Sequence, residues 1–389
     1  MNKPGMHFSE KINRDYLELT LMYIISAGIC LFFPWAIKHL AGLTAVDFHI
    51  HYKEFANISD VRHYIDIAKD GYVTTGDERL SLVFYPFYPI VIRIVHMITR
   101  LDYHTAASVI SFAASYSSVF ILYRLVQIDY DKKTAFRAAK FYLISPFIFF
   151  TFTRMSESLY LLLLFGTIYL LRKGKYIPAG ILGFFTAFTR LPGLAVGVIM
   201  LTESIAIVYK DIKNGEFAAK KYLKPVVMMI MTLCGFITYL GINYHLYKDP
   251  FMFLKYQEEN WHQRFTNPVY VIKNVLIDGQ LKGGYSLNIK IGCAAAGLLA
   301  IAAILFSIVI AVLIKVRLSY ILYMLVYFYV CYSASWLLSG ARYSLGAFCI
   351  FLVFGVVGAK HRHIDNILTI LSPVCMLFFA FVCSIGGMY

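Results

Sequence analysis

The chain has 389 residues, of which 59% are hydrophobic and only 15% are charged, and its formal net charge is +14. Soluble domains contain roughly 45–50% apolar residues, so this composition excludes an ordinary soluble protein. The basic residues concentrate in short loops between apolar runs, where they orient a membrane protein, and no nucleic-acid partner is implied.

Apolar segments that reach or approach the length of a membrane span, about 17–25 residues, recur along the chain. We predict eleven helices, at residues 17–40, 105–128, 137–152, 157–171, 177–189, 191–209, 223–246, 289–314, 318–337, 343–359 and 365–385. The first segment is too long for a signal peptide and is expected to be a retained span. We therefore predict an all-α polytopic membrane protein with a single domain over residues 1–389.

The connections between these segments predict the orientation of the chain. With the N-terminus inside, five short basic loops face the cytoplasm, as the positive-inside rule requires; they are Lys132-Lys133, Arg172 to Lys175, Lys210 to Lys224, Lys315 to Arg317 and Lys360 to Arg362. Two long segments, residues 41–104 and 247–288, then lie outside, together with three short turns that carry Arg154, Arg190 and Arg342.

The first outer segment contains a predicted surface helix. Ser59 or Asp60 suits its start and Gly71 its end, and the apolar residues between them are spaced for one face, at Val61, Tyr64, Ile65 and Ala68. An aspartate at a helix start is most often a cap. The alternative role for Asp60 is a general base, which must lie within hydrogen-bond reach of the proton it takes.

The apolar run at residues 81–98 follows this helix. A span here would place every later basic loop outside, so we predict a juxtamembrane or re-entrant helix on the outer side. Pro86 and Pro89 suit its first turn.

The three outer arginines, Asp60 and Glu157 share the outer side in this topology. Arginines at such helix ends often only carry their charge to the membrane interface. The guanidinium fork also matches phosphate oxygens, so Arg190 and Arg342 are candidates to hold a lipid phosphate.

The second outer segment carries a polar, aromatic stretch at residues 256–264. Aromatic residues at this depth most often form an interfacial belt. Sugar or lipid binding, with Trp261 as the candidate, is the alternative.

Other motifs give no support for a metal or redox site. Asp129-Tyr130-Asp131 matches a metal-binding pattern of nucleotide-sugar enzymes, but it lies in a short inner loop and is predicted to be a solvated charge pair. The His49/His51 and His361/His363 pairs lack further ligands. The seven cysteines lie in apolar runs without C-x-x-C spacing and are predicted to pack between helices.

Six short motifs follow one another along most of the chain: Asp60 to Tyr64 with Gly71-Tyr72, Phe84 to Pro89, Ser145-Pro146 with Arg154 to Leu159, Ala187 to Gly193, Tyr244 to Pro250 with Trp261, and Arg342-Tyr343. The ordered set resembles the PIG-V-type mannosyltransferases, the family of the second GPI mannosyltransferase and its bacterial relatives, in the GT-C class of membrane glycosyltransferases. Two positions depart from the family pattern, Ser59 in place of a frequent tryptophan and Cys349 in place of a frequent proline.

The resemblance implies a GT-C-like fold, a polyprenyl-phosphate sugar as donor, and no cofactor or metal. The donor sugar is expected to be a hexose, with mannose as the family expectation, and the acceptor is a lipid, glycan or protein hydroxyl. At the matching positions, Asp60 becomes the base of an inverting displacement, and the expected substrate-binding residues are Arg62, His63, Tyr64, Arg154, Glu157, Arg190, Trp261, Arg342 and Tyr343. The expected location is a bacterial plasma membrane, with the active site on the extracytoplasmic face.

A transporter or flippase of lipid-linked sugars is the alternative from another functional class, since a basic, aromatic outer vestibule would serve it equally well. Transporters usually carry charged or broken helices near the membrane midplane and are often built from repeated halves. Here the ionisable residues gather at the outer ends and no internal repeat is found, which favours a transferase.

Overall fold

The computed structural model describes residues 5–58 and 60–386, and within these ranges the chain is helical and contains no β-strand. The α-helical segments, numbered in chain order, are α1 Gly5–Leu40, α2 Phe48–Ala56, α3 Val61–Asp70, α4 Phe87–Thr99, α5 Tyr103–Val126, α6 Lys132–Leu143, α7 Glu157–Arg172, α8 Tyr176–Thr189, α9 Val196–Lys213, α10 Leu223–Tyr247, α11 Met252–Trp261, α12 Pro268–Lys273, α13 Leu287–Ile289, α14 Ala296–Leu313, α15 Leu318–Cys331, α16 Gly340–Tyr343, α17 Cys349–Lys360 and α18 Arg362–Ser384. The prediction of an all-α protein is confirmed.

Six helices in the described ranges are long and apolar enough to cross a membrane, and two bent helix pairs raise this number to at most eight. The six are Arg14–Leu40, Tyr103–Val126, Leu191–Lys213, Ala219–Tyr247, Leu287–Leu313 and Arg362–Ser384. The predicted count of eleven spans is therefore not confirmed. Several apolar runs are interrupted: α6 ends at Leu143, just before Pro146, and α15 ends at Cys331, inside the predicted segment 318–337. An apolar run satisfies a hydropathy criterion without being one continuous helix.

The helix α7 occupies the centre of the bundle, where it packs against α5 and α8. It is apolar on all sides, and most of its residues are buried, as expected for a helix surrounded by other helices. In contrast, α18 leaves large apolar side chains such as Ile367 and Ile370 exposed. Such a surface suits contact with lipid.

The helices α8 and α10 approach each other closely at two glycines. A Cβ atom at Gly183 would overlap with Thr232 Oγ1, and one at Gly235 would overlap with the carbonyl oxygen of Phe184. Small residues at such positions let helix backbones pack tightly. This contact places the C-terminal end of α8, which carries Arg190, against the rest of the bundle.

The basic loops come together at one end of the bundle through ion pairs. Asp129 Oδ1 accepts hydrogen bonds from Arg172 Nη2 at 2.7 Å and from Arg317 Nη2 at 3.3 Å, and Arg317 also pairs with Glu203 at 3.0 Å. The Asp129 side chain is only 20% exposed, so the prediction of a solvated charge pair is wrong for this residue. Asp131 caps α6 by accepting from the backbone N–H of Thr134.

Residues 81–98 form a bent pair rather than one straight helix. A 3-10 helix at Asp77–Val83 meets α4 at an angle of 106°. Pro86 occupies the N-cap position of α4 and Pro89 lies in its first turn, as predicted from the sequence. Arg93 ties this pair to the end of α3 by donating to the carbonyls of Ala68 and Lys69 at 2.6 and 2.9 Å.

Candidate active site

Two carboxylates and two guanidinium groups meet at the end of the bundle opposite the basic loops. Asp60 precedes α3, Glu157 begins α7, Arg190 follows α8, and Arg342 lies in α16. Arg342 Nη1 donates to Asp60 Oδ2 at 2.6 Å and lies 3.3 Å from Glu157 Oε1. Arg190 Nη1 donates to the same oxygen of Glu157. One carboxylate oxygen therefore holds both arginines, and the four predicted residues form one connected cluster.

Two serines that the sequence analysis did not single out complete the cluster. Ser339 Oγ accepts from Arg342 Nη2 at 2.6 Å. Ser156 Oγ accepts from Arg190 Nη1 at 3.1 Å and pairs with the Tyr64 hydroxyl at 2.9 Å. Serines in short turns carry no distinctive sequence signal, and only the three-dimensional contacts identify them.

The cluster is shielded from water and formally neutral. Asp60, Glu157 and Arg342 are each less than one-tenth exposed, and the two negative charges balance the two positive ones. Removing one partner of a buried ion pair costs about 3–5 kcal/mol, because the other charge is left uncompensated. The four residues are thus expected to hold one another in place.

A cavity of about 390 Å³ lies against this cluster. This volume falls within the range of roughly 300–1,000 Å³ that is typical of small-molecule sites. The wall includes six of the ten site residues predicted from the sequence, namely Asp60, Tyr64, Arg190, Trp261, Arg342 and Tyr343. The face of the Tyr343 ring lies 5.5 Å from Arg190 Cζ.

The polar stretch at residues 256–264 supplies another part of the cavity wall. Gln257, Glu258, Trp261 and Arg264 line it. The backbone carbonyl of Trp261 accepts from Trp336 Nε1 at 2.9 Å, which fixes the end of α11. Trp261 is therefore a cavity residue, and its role in sugar or lipid binding stays a prediction.

Asp60 occupies the N-cap position of α3, but its side chain does not cap the helix. Its carboxylate instead pairs with Arg342. Ser59, the other predicted cap, lies outside the described residues. The start of α3 therefore presents a carboxylate to the cavity, and the helix ends at Gly71 with a positive φ of 82°, as predicted.

Two predicted substrate-binding arginines lie away from the cavity. The Arg62 side chain is 80% exposed and pairs with Asp66 at 3.5 Å. Arg154 is buried, where Nε donates to Ser108 Oγ at 2.8 Å and Nη1 donates to Asn57 Oδ1 at 2.7 Å. These contacts join α2 to α5 and give Arg154 a structural role.

His63 lies behind the cavity wall. Its ring stacks on Phe84 with the centroids 4.6 Å apart, and Nδ1 pairs with Ser81 Oγ at 2.9 Å. Burial lowers the pKa of His63, and the nearby Asp60 and Asp66 partly oppose this shift. The neutral imidazole is therefore favoured at this position.

The described residues contain no group of three or more histidine, cysteine or acidic side chains that could hold a metal ion. The cysteines at positions 30, 293, 331, 349 and 383 are buried, while Cys234 and Cys375 are partly buried. This agrees with the predicted role of the cysteines in helix packing.

Comparison with known proteins finds likeness in structure only. No protein-family model matches the chain, and no curated protein matches it in sequence. Among solved structures, the apo oligosaccharyltransferase of Archaeoglobus fulgidus aligns over 96% of this chain and 56% of its own, with 12% identity and a TM-score of 0.47. The A. fulgidus oligosaccharyltransferase AglB, in complex with an inhibitory peptide and a dolichol-phosphate, shares 12% identity over 96% of this chain and 56% of its own, with a TM-score of 0.48.

The A. fulgidus enzyme tethered to an acceptor peptide also shares 12% identity, over 96% of this chain and 55% of its own, with a TM-score of 0.48. The chain thus corresponds to little more than half the length of these structures. Such distant likeness carries no argument about activity, which depends on the site itself.

Proposed function

We propose that this chain is a membrane glycosyltransferase that moves a hexose from a polyprenyl phosphate to an acceptor hydroxyl on the extracytoplasmic face. The observation that carries this proposal is the pairing of Asp60 with Arg342, beside Arg190, at the wall of a cavity of about 390 Å³. The ordered motifs that resemble the PIG-V-type family support the same reaction and suggest mannose as the sugar.

In this reaction Asp60 is the general base. Its carboxylate takes the proton of the acceptor hydroxyl as that oxygen attacks the anomeric carbon of the donor sugar. The new carbon–oxygen bond forms as the bond from the anomeric carbon to the phosphate oxygen breaks, and the electron pair leaves with the polyprenyl phosphate. A single displacement of this kind inverts the anomeric configuration.

Arg190 and Arg342 are suited to stabilise the leaving phosphate. Negative charge develops on its oxygens in the transition state, where fixed guanidinium donors in a water-poor site are most effective. Glu157 holds the two guanidinium groups together through one oxygen. Without such a counter-charge, two neighbouring arginines would repel each other.

The charge distribution supports an extracytoplasmic orientation of the site. The cavity lies at the opposite end of the bundle from the loops that contain Arg172 and Arg317. Because basic loops remain in the cytoplasm, the cavity is expected to face away from it, and a bacterial plasma membrane is the expected location.

The proposal is tested with the purified full chain in lipid nanodiscs. The chain is incubated with polyprenyl-phosphate mannose and a set of lipid, glycan and peptide acceptors that carry free hydroxyl groups. Release of polyprenyl phosphate together with a glycosylated acceptor supports a transferase.

A parallel assay in sealed vesicles measures transbilayer movement of the same donor. Movement of the intact donor without release of polyprenyl phosphate would replace the transferase with the transporter or flippase alternative.

A further inference from the structure

A second, much smaller pocket adjoins the cavity. Its volume is about 10 Å³, and it shares Arg190, Arg342 and Tyr343 with the cavity wall. Glu157 and Tyr160 of α7 form part of its remaining wall. The small pocket therefore lies behind the charged cluster, on the side of the bundle interior.

Three polar atoms of its lining residues have no partner within ordinary hydrogen-bond distance among the described residues, although the Tyr160 hydroxyl lies near enough to those of Tyr323 and Tyr327 to interact with them. The three atoms are Glu157 Oε2, the Tyr160 hydroxyl and Arg342 Nε, and the three residues are 3%, 3% and 7% exposed. A polar group buried in this way is unfavourable unless it finds a partner, above all when it is charged.

The neighbouring tyrosines do not supply the missing donor. The Tyr323 hydroxyl donates to the carbonyl of Gly346 at 2.8 Å, and the Tyr327 hydroxyl donates to the carbonyl of Tyr343 at 2.9 Å. Their protons are therefore committed to the backbone. Glu157 Oε2 needs a donor from elsewhere.

The volume of the small pocket and its polar atoms indicate which molecule it can hold. A buried water needs a volume of about 10–15 Å³ and two to four polar partners, whereas a phosphate group or a sugar ring is far larger. One water could donate to Glu157 Oε2 and accept from Arg342 Nε. Its remaining proton and lone pair would serve the Tyr160 hydroxyl.

We propose that this small pocket holds one ordered water molecule, and that Tyr160 acts through it as a positioning residue for Arg342 and Glu157. Arg342 Nη1 and Nη2 are held by Asp60, Glu157 and Ser339. The water accepts a hydrogen bond from Arg342 Nε, so all three nitrogen atoms of the guanidinium group are held in place. Its consequence for donor binding rests on the proposed function; the presence of the water does not.

The water is tested directly by a high-resolution cryo-EM map of the full chain in nanodiscs. The expected result is a density peak within hydrogen-bond distance of Glu157 Oε2, the Tyr160 hydroxyl and Arg342 Nε, and loss of that peak in Tyr160→Phe. A well-resolved wild-type map with no peak there, or with Tyr160 bonded directly to Glu157, overturns the proposal.

The positioning role is tested by kinetics of the same variant. Tyr160→Phe is expected to raise the KM for the polyprenyl-phosphate donor about 2- to 10-fold, the equivalent of one ordinary hydrogen bond, with the protein still folded. The matched control is Tyr142→Phe, because Tyr142 is equally buried but pairs with Ser118 at 2.9 Å. It should lower the melting temperature without changing the donor KM.

An unchanged donor KM in Tyr160→Phe contradicts the positioning role. If the wild-type chain turns over no polyprenyl-phosphate donor, the proposed function fails by itself. The density between the three atoms then still decides whether the water is present.

Discussion

Asp60 and Arg342 are separated by 282 positions in the chain, and Arg342 Nη1 donates to Asp60 Oδ2 at 2.6 Å. This ion pair joins the start of α3 to α16. It also places the proposed base beside a proposed phosphate ligand, so that one pair of residues would serve the attacking hydroxyl and the leaving phosphate.

Replacing Asp60 with asparagine is expected to stop transfer. Asparagine keeps the shape of the side chain but cannot take a proton, and general-base catalysis contributes about 10²- to 10⁴-fold. The measurement is the initial rate at which polyprenyl phosphate is released. Asp66→Asn in the same helix is the control, since the partner of Asp66 among the described residues is the exposed Arg62. Release that persists in Asp60→Asn at the wild-type rate would remove Asp60 from its role.

Replacing Arg342 with lysine is expected to raise the donor KM about tenfold or more, because an ammonium is a point charge and cannot reproduce the planar fork of arginine. In the structure this fork serves Asp60, Glu157 and Ser339 at once. The control is Arg62→Lys, whose side chain is exposed. Equal donor KM values for both variants would argue against a phosphate ligand at position 342.

Arg154 is expected to affect stability rather than substrate binding. Arg154→Met removes hydrogen bonds to Asn57 and Ser108, and a hydrogen bond to a charged group contributes about 1.5–3 kcal/mol. Thermal unfolding should show a lower melting temperature, while the donor KM of the folded protein stays at the wild-type value. A changed donor KM would restore Arg154 to the site predicted from the sequence.

His63 is expected to make stability dependent on pH. Its pKa is lowered by burial, so the unfolded state binds the proton more readily than the folded state. Stability contributed by neutral His63 is present above about pH 6.5, the ordinary histidine pKa, and is lost as the pH falls below it. The melting temperature of the wild type should therefore fall more steeply on acidification than that of His63→Gln. Parallel curves for the two proteins would contradict this prediction.

The orientation can be checked by labelling single cysteines with a membrane-impermeant maleimide in intact cells. Asp77→Cys should react, because this exposed side chain lies near the cavity end, and Lys175→Cys should react only after the cells are broken. The unchanged chain, whose cysteines are buried or partly buried, gives the background. The reverse pattern would place the cavity in the cytoplasm.

Much of the local structure followed from the sequence. The helix at Val61–Asp70 buries the predicted residues Val61, Tyr64, Ile65 and Ala68, and it ends at the predicted glycine. Pro86 and Pro89 mark the start of α4 as expected. These features depend on neighbours within one or two helical turns, which the chain itself specifies.

The number of membrane spans could not be predicted as well from the sequence, because hydropathy measures the composition of a segment and not whether it forms one continuous helix. The residue before a proline is restricted to extended backbone, and Ser145-Pro146 separates α6 from the next helical turn inside one predicted span. The relation of the bent pair at residues 77–99 to the membrane likewise stays a prediction.

The sequence by itself determined that the chain is helical and apolar, and it gave the bounds of some helices, α7 and α8 among them, to within one residue. Only the tertiary structure decided that Glu157 holds both Arg190 and Arg342, that Ser156 and Ser339 support them, and that Arg62 and Arg154 lie elsewhere. The physical reason is the separation along the chain of the residues that determine each feature. Helical periodicity is determined by residues close together in the sequence. An ion pair between distant segments depends instead on how whole helices pack and on which charges that packing removes from water.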